Sequence, residues 1–123
     1  MDEEKPENIP TSTGNALWNA FCYSMDGLRF AIKERAFRQE ILLACVLIPV
    51  ALYLAKNGIE RALLIGSVML VPIVELLNSG IESAIDRISL ERHPLSKKAK
   101  DVGSAAVLLA LLNCAIVWGC VLL

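Results

Sequence analysis

The chain has 123 residues, of which 55% are hydrophobic and 20% are charged, and its formal net charge is -1. Residues 41–55, 62–85 and 102–123 together make up 61 residues, yet they contain only two charged side chains, Glu75 and Glu82. A soluble globule needs charged residues along the outer face of every helix, so this distribution excludes one and indicates a membrane protein. The near-neutral charge, without a basic stretch interleaved with aromatic residues, also argues against a nucleic-acid partner.

The segment before the first apolar run falls into two parts. Residues 1–14 are acidic, contain two prolines and lack the basic and apolar regions of a signal peptide, so we predict a disordered tail. Residues 15–35 are predicted to form an amphipathic helix on the membrane surface, because apolar side chains recur there every three or four positions. These side chains are Leu17, Phe21, Met25, Leu28 and Ile32.

Three membrane spans are predicted to follow, over about residues 36–55, 62–86 and 102–123. The uncharged part of the first span is 15 residues long, fewer than the roughly 20 that cross the hydrocarbon core, so residues 36–40 are needed to complete it. Lys and Arg are concentrated before the first span and between the second and third, which predicts that the N-terminus and the second loop are cytoplasmic. We therefore expect an all-α membrane protein in which residues 15–123 form one domain, with three transmembrane helices and a surface helix in each subunit.

The second span carries a polar stripe formed by Glu75, Asn78, Glu82 and Asp86. At about 100° per residue these side chains share one face about 80° wide. A carboxylate at membrane depth costs roughly 2.5 to 3.5 kcal/mol on insertion scales, so the stripe must face protein, water or a metal.

Three interpretations of the stripe remain open on the residues alone. The acids can pair with basic residues to fix assembly, although residues 41–55, 62–85 and 102–123 contain no such base. They can serve ion or proton translocation. They can also catalyse phosphoryl transfer at the interface, with one carboxylate as general base and others holding Mg²⁺.

Lysines cluster just before the third span, where Lys97, Lys98, Lys100 and Asp101 precede Gly103 and Ser104. Such a cluster is typical of a lipid-headgroup anchor. A predicted helix start at this point also favours an anion such as a nucleotide phosphate, because its backbone N–H groups are unpaired.

Small and polar residues recur along the third span at positions that predict one packing face: Gly103, Ala106, Ala110, Asn113 and Val117. Three spans are too few to enclose the polar stripe. We therefore expect a homo-oligomer whose sites are completed between subunits.

Three stretches carry a more specific signal. They are ERAFRQE at residues 34–40, ExxNxxIExxxDR at residues 75–87, and HPLS followed by AKDVGSA at residues 93–105. Over about residues 15–123 the chain resembles the small integral-membrane diacylglycerol kinases of bacteria, within a superfamily that also contains undecaprenol kinases. The resemblance implies a homotrimer in the cell inner membrane that transfers the γ-phosphate of ATP to diacylglycerol, with Mg²⁺, to make phosphatidate.

The resemblance also implies a role for individual residues. Glu75 matches the general base, and Glu34 and Glu82 match the carboxylates that hold the metal. Nucleotide contacts are implied for Tyr23, Glu34, Glu82, Glu91, Arg92, His93, Lys100 and Asp101. Lipid-site positions are implied for Ala36, Phe37, Arg38, Gln39, Glu40, Glu75, Asn78 and Ser104.

Two features locate the chain within this superfamily. Better-known members carry an Arg about seven residues before the equivalent of Tyr23, where this chain has Ala16, so that phosphate contact is missing or supplied otherwise. The run from Phe37 to Glu40 resembles the diacylglycerol branch, because the undecaprenol branch generally lacks an acid at the last position.

Overall fold

The structure, a computed structural model, describes residues 13–123, and within this range it is helical with no strand. The helices are α1 (Thr13–Ala31), α2 (Arg35–Leu54), α3 (Gly58–Ile88) and α4 (Pro94–Leu122). The last three are long and apolar enough to cross a membrane, with mean hydropathies of 1.7, 1.9 and 2.4. The prediction of an all-α membrane protein with three spans and one further helix is confirmed. The predicted disordered tail covers residues 1–14, and residues 1–12 lie outside the described residues.

The connection between α1 and α2 is a tight turn over residues 32–34. Arg38 stabilises it by donating from Nη1 to two backbone carbonyl oxygens, of Lys33 at 2.9 Å and of Ile32 at 3.2 Å. This arrangement satisfies carbonyl groups that follow the end of α1 and would otherwise lack a partner. The turn is therefore fixed relative to α2, and it carries Glu34.

A compact cap begins α3. The side chain of Asn57 accepts a hydrogen bond from the Glu60 backbone N–H at 2.9 Å, and the Glu60 carboxylate accepts one from the Lys56 backbone N–H at 2.9 Å. These reciprocal bonds satisfy backbone donors at the start of the helix. The α2–α3 connection thus covers residues 55–57 and is shorter than the interval between the first two predicted spans, which end at residue 55 and begin at residue 62.

The helix α4 begins earlier than the predicted third span. His93 caps it by accepting a hydrogen bond from the Leu95 backbone N–H at Nδ1 (3.1 Å), and Pro94 occupies the first turn, where its missing N–H does no harm. Lys97 and Lys100 therefore lie in the first two turns of α4. The expected helix start beside Gly103 and Ser104 is wrong, because the cap and the proline place it about nine residues earlier.

The core lies where α3 packs against α2 on one side and α4 on the other. Its buried residues are mostly small or β-branched, which lets the helices approach closely; they are Ala44, Val68, Val71, Ala110 and Cys114. Trp118 adds a hydrogen bond from Nε1 to the Leu64 carbonyl oxygen at 3.2 Å. This bond joins the first half of α3 to the C-terminal end of α4.

The buried face of α4 differs in part from the face expected. Gly103, Ala110 and Cys114 are buried, whereas Ala106 and Asn113 are exposed on the single chain. Because α4 is apolar almost all round, residue spacing alone did not determine which side meets α3.

Candidate active site

A cavity of about 520 Å³ lies where α2, α3 and α4 meet the turn that follows α1. It is centred on two polar side chains of α3 that are almost fully buried, Glu75 and Asn78, with 7% and 6% of their surface exposed. The lining residues come from three separate stretches of the chain: Glu34, Arg35, Ala36, Glu75, Asn78, Glu82, Ser104 and Val107. Three of the four members of the polar stripe thus face one cavity.

Asn78 is the polar link within this cavity. Its Nδ2 donates to Glu82 Oε1 at 3.4 Å, one helical turn further along α3. Its Oδ1 is buried and has no hydrogen-bond partner in the described part of the chain. A buried acceptor without a partner is rare in proteins, so a specific feature of the packing around Asn78 must hold the oxygen in this position.

Glu34 reaches the cavity from the turn before α2. It occupies the N-cap position of α2 but makes no side-chain capping bond there. Instead its Oε2 accepts a hydrogen bond from Ser79 Oγ at 2.5 Å, across to α3. The carboxylate of Glu34 is therefore aimed at the same side of α3 as Glu82.

A further carboxyl group, that of Glu40 on α2, lies close to the first cavity. The side chain of Glu40 lies beside that of Glu75, and its Oε2 is buried without a hydrogen-bond partner among residues 13–123. Glu40 therefore belongs to the surroundings of Glu75.

A larger cavity of about 680 Å³ lies at the α3–α4 connection. Its lining includes five residues expected to contact nucleotide: Glu91, Arg92, His93, Lys100 and Asp101. Two ion pairs form among its lining residues, from Lys100 Nζ on α4 to Asp86 Oδ1 on α3 at 2.6 Å and, within α4, from Lys97 Nζ to Asp101 Oδ2 at 2.5 Å. The fourth member of the polar stripe, Asp86, thus pairs with a lysine here and does not line the first cavity.

A third cavity, of about 560 Å³, lies between α1 and α3. It shares Glu34 with the first cavity and is otherwise lined by small or apolar residues, among them Leu28, Phe30 and Leu76. Glu34 therefore stands between a polar cavity and an apolar one.

Some predicted site residues lie away from these cavities. Tyr23 is exposed on α1 and lines none of the three. Phe37 is buried, Arg38 supports the turn before α2, and Gln39 is exposed. Within the segment 36–40, only Ala36 lines the first cavity and only Glu40 lies against Glu75.

The structure adds Ser79 to the site, a residue that the sequence did not single out. On a helical wheel Ser79 falls about 20° from Asp86, at the edge of the polar stripe. This position on the helix could have identified Ser79 as a site residue from the sequence. Its partner Glu34 was not predictable from spacing, because the two residues are 45 positions apart.

Comparison with known proteins identifies the family. The profile of the prokaryotic diacylglycerol kinases matches residues 22–122. The chain is 55% identical over 120 residues to the diacylglycerol kinase of Pseudomonas aeruginosa, which covers 96% of this chain and 98% of that protein. It is 52% identical over 107 residues to that of Haemophilus influenzae (86% and 91%) and 54% identical over 102 residues to that of Escherichia coli (82% and 83%). The chain belongs to the prokaryotic diacylglycerol kinase family.

Proposed function

We propose that this protein is a diacylglycerol kinase that transfers the γ-phosphoryl group of ATP to the hydroxyl of diacylglycerol, giving phosphatidate. The observation that carries the proposal is the cavity in which buried Glu75 lies with Glu34 and Glu82. A buried carboxylate supplies a base, and two further carboxylates supply cation ligands. Phosphoryl transfer needs these groups held in fixed positions, since its catalysis depends mainly on positioning and charge stabilisation.

Glu75 is the proposed general base. Among the four residues of the polar stripe it lies furthest from the polar α3–α4 connection, so an alcohol held in the membrane reaches it first. Glu75 accepts the proton of the lipid hydroxyl as the hydroxyl oxygen attacks the γ-phosphorus, and the bond to the β-phosphate oxygen breaks. This role matches general-base catalysis, in which the base must lie within hydrogen-bond reach of the proton it removes.

The residues of the cavity fit Mg²⁺. Glu34 and Glu82, which line the cavity together, offer the carboxylate oxygens that this cation prefers. Residues 13–123 hold no cluster of three or more His, Cys, Asp or Glu ligands. This agrees with a cation held by one or two carboxylates together with substrate phosphates. When bound, the cation neutralises charge on the transferring phosphate.

Nucleotide binding is assigned to the cavity at the α3–α4 connection. Lys100 and Arg92 supply positive charge for phosphates, while Glu91, His93 and Asp101 supply polar contacts. Lysine suits this task as a compact point charge. Tyr23 is the further contact proposed on α1, where it is exposed and free to approach a bound nucleotide.

The lipid is assigned to the membrane side of the same site. Ala36 and Ser104 line the first cavity, and Glu40 lies beside Glu75, so the glycerol hydroxyl enters between α2 and α4. The apolar cavity between α1 and α3 adjoins Glu34 and suits a lipid chain. Phe37, Arg38 and Gln39 complete the proposed lipid segment by shaping the start of α2.

We further propose a homotrimer in the inner membrane with its N-terminus in the cytoplasm. Large apolar side chains are exposed along every helix of the single chain, including Leu42 on α2, Leu77 on α3 and Leu109 on α4. Lipid tails and neighbouring subunits are the two environments that cover such faces. Residues 15–123 then act as one kinase domain, and residues 1–14 as its acidic extension.

The test is a phosphate-transfer assay with purified protein in lipid bilayers, using ATP labelled in the γ-position and Mg²⁺. We expect label in phosphatidate when diacylglycerol is present. In a competition that offers diacylglycerol and undecaprenol together, we expect most label in phosphatidate. Label found only in undecaprenyl phosphate would contradict the lipid assignment, and ATP-independent cation flux without lipid labelling would contradict a kinase altogether.

A further inference from the structure

Gly103 occupies a position on α4 where no side chain fits. A Cβ built at this residue would collide with the side chain of Asn78 on α3, with Oδ1 as the nearest atom. Each of the other six glycines, at positions 14, 27, 58, 66, 80 and 119, would meet nothing within 4 Å. Gly103 is itself buried, and the three atoms nearest to such a Cβ all belong to the Asn78 side chain.

The orientation of that carboxamide is set at its other end. Only the nitrogen of an amide donates to a carboxylate, and Asn78 Nδ2 donates to Glu82 Oε1 at 3.4 Å. The oxygen therefore points toward Gly103, where it has no hydrogen-bond partner in the described chain. The amide thus lies between a carboxylate that fixes its nitrogen and a bare Cα that leaves room for its oxygen.

A side chain added at position 103 would displace the Asn78 amide more easily than it would separate α3 from α4. The colliding atom is the end of a side chain, whereas α3 and α4 are held together elsewhere by the core around Val71 and Ala110. Asn78 lines the cavity of about 520 Å³, so the displaced amide has space into which it can rotate. Rotation separates Nδ2 from Glu82 and leaves that carboxylate without its donor.

We propose that Gly103 is a positioning residue of the phosphotransfer site, which acts through Asn78 to hold the Glu82 carboxylate in the orientation that binds the divalent cation. This proposal rests on the proposed function, which assigns Glu82 to the cation. It adds a residue on a different helix that touches neither substrate nor metal. Its effect is steric and does not depend on the chemistry of a side chain.

The first experiment measures the dependence of phosphatidate formation on free Mg²⁺ at saturating ATP and diacylglycerol. We expect Gly103→Ala to raise the half-activating Mg²⁺ concentration about tenfold, since a hydrogen bond to a charged group is lost. The KM for diacylglycerol should change less than twofold. Gly119→Ala on α4 and Gly66→Ala on α3 are the matched controls, because their added Cβ atoms meet nothing within 4 Å, and both should match the wild type.

The second experiment uses thermal unfolding of the full chain in detergent, which needs no active enzyme. Gly103→Ala is introduced into the wild type and into the Asn78→Ala variant, forming a double-mutant cycle. We expect the substitution to lower the unfolding midpoint more in the wild type than in the Asn78→Ala background, where the space beside position 103 is empty. An equal effect in both backgrounds would show that the two residues are not coupled and would overturn the proposal.

The two proposals fail in different ways. Absence of phosphatidate with the wild-type protein counts against the kinase. An active Gly103→Ala enzyme with the Mg²⁺ dependence of the two controls overturns the role of Gly103 and leaves the kinase intact.

Discussion

The two halves of α3 differ in what they bury. Over residues 58–74 the buried side chains are mainly apolar, including Leu64, Val68 and Val71, whereas over residues 75–88 they are a carboxylate, an amide and a hydroxyl. The first half, which we call the packing half, contributes Val68 and Val71 to the core that α3 shares with α2 and α4. The second, the site half, lines cavities and leaves the Asn78 Oδ1 unpaired.

This difference shows how one helix serves both stability and chemistry. The packing half fixes the distance between α3 and α4, so the site half is held in place without having to pack tightly itself. Polar groups without partners reduce stability, which the apolar contacts of the packing half offset. Substitutions in the two halves should therefore separate stability from turnover.

The largest effect on turnover is expected from Glu75→Gln in the site half. Loss of the general base should lower kcat by about a thousandfold, in the range typical of such catalysts. The neutral amide has nearly the same shape and is easier to bury, so the unfolding midpoint should not fall. Phosphatidate formation and thermal unfolding measure the two effects, and full activity would contradict the assigned base.

The largest effect on stability is expected from Leu64→Ala in the packing half. Leu64 has 0% of its surface exposed, so truncation leaves a cavity and should lower the free energy of unfolding by about 2 to 5 kcal/mol. The kcat of the protein that remains folded should stay within about twofold of the wild type. Unfolding in denaturant and turnover per folded molecule are the measurements. A large loss of kcat without loss of stability would show that the halves are not separable.

A smaller effect is expected from Ser79→Ala, which removes the donor to Glu34. A lost hydrogen bond to a carboxylate should reduce kcat/KM for Mg·ATP about tenfold. Ser67→Ala is the matched control in the packing half, because Ser67 Oγ donates at 2.9 Å to the Leu64 carbonyl oxygen of its own helix. Both serines are buried, so equal effects on kcat/KM would indicate that burial, and not the contact with Glu34, is responsible.

The smallest effect is expected from Asp86→Asn at the end of the site half. Its side chain and that of Lys100 are each nearly half exposed, so the ion pair contributes little to stability. Without the ion pair, Lys100 is held less firmly in the position proposed for binding a nucleotide phosphate. The KM for ATP should therefore rise about threefold, which is less than the loss of a complete charged hydrogen bond would produce. Asp26→Asn breaks the exposed pair with Arg29 on α1 and serves as the control. An unchanged KM for ATP in Asp86→Asn would remove Asp86 from the nucleotide site.

The spans and the polar stripe were predictable because each depends on residues close in sequence. Long uncharged runs require a membrane, and Glu75, Asn78 and Glu82 share a face by helical periodicity alone. The start of α4 was misplaced because a polar first turn resembles a loop when judged by hydropathy. The cap by His93 and the proline at position 94 were the local signals of its true start.

The sequence by itself determined that this protein is a helical membrane protein and which face of α3 carries its acids. Only the tertiary structure decided that Glu34 accepts from Ser79 and lines one cavity with Glu82, that Asp86 pairs with Lys100 instead, and that Gly103 makes room for Asn78. The physical reason is the separation along the chain over which each effect acts. Hydropathy and helical period act over a few residues, whereas these contacts join side chains 14 to 45 positions apart, whose meeting depends on how α2, α3 and α4 pack.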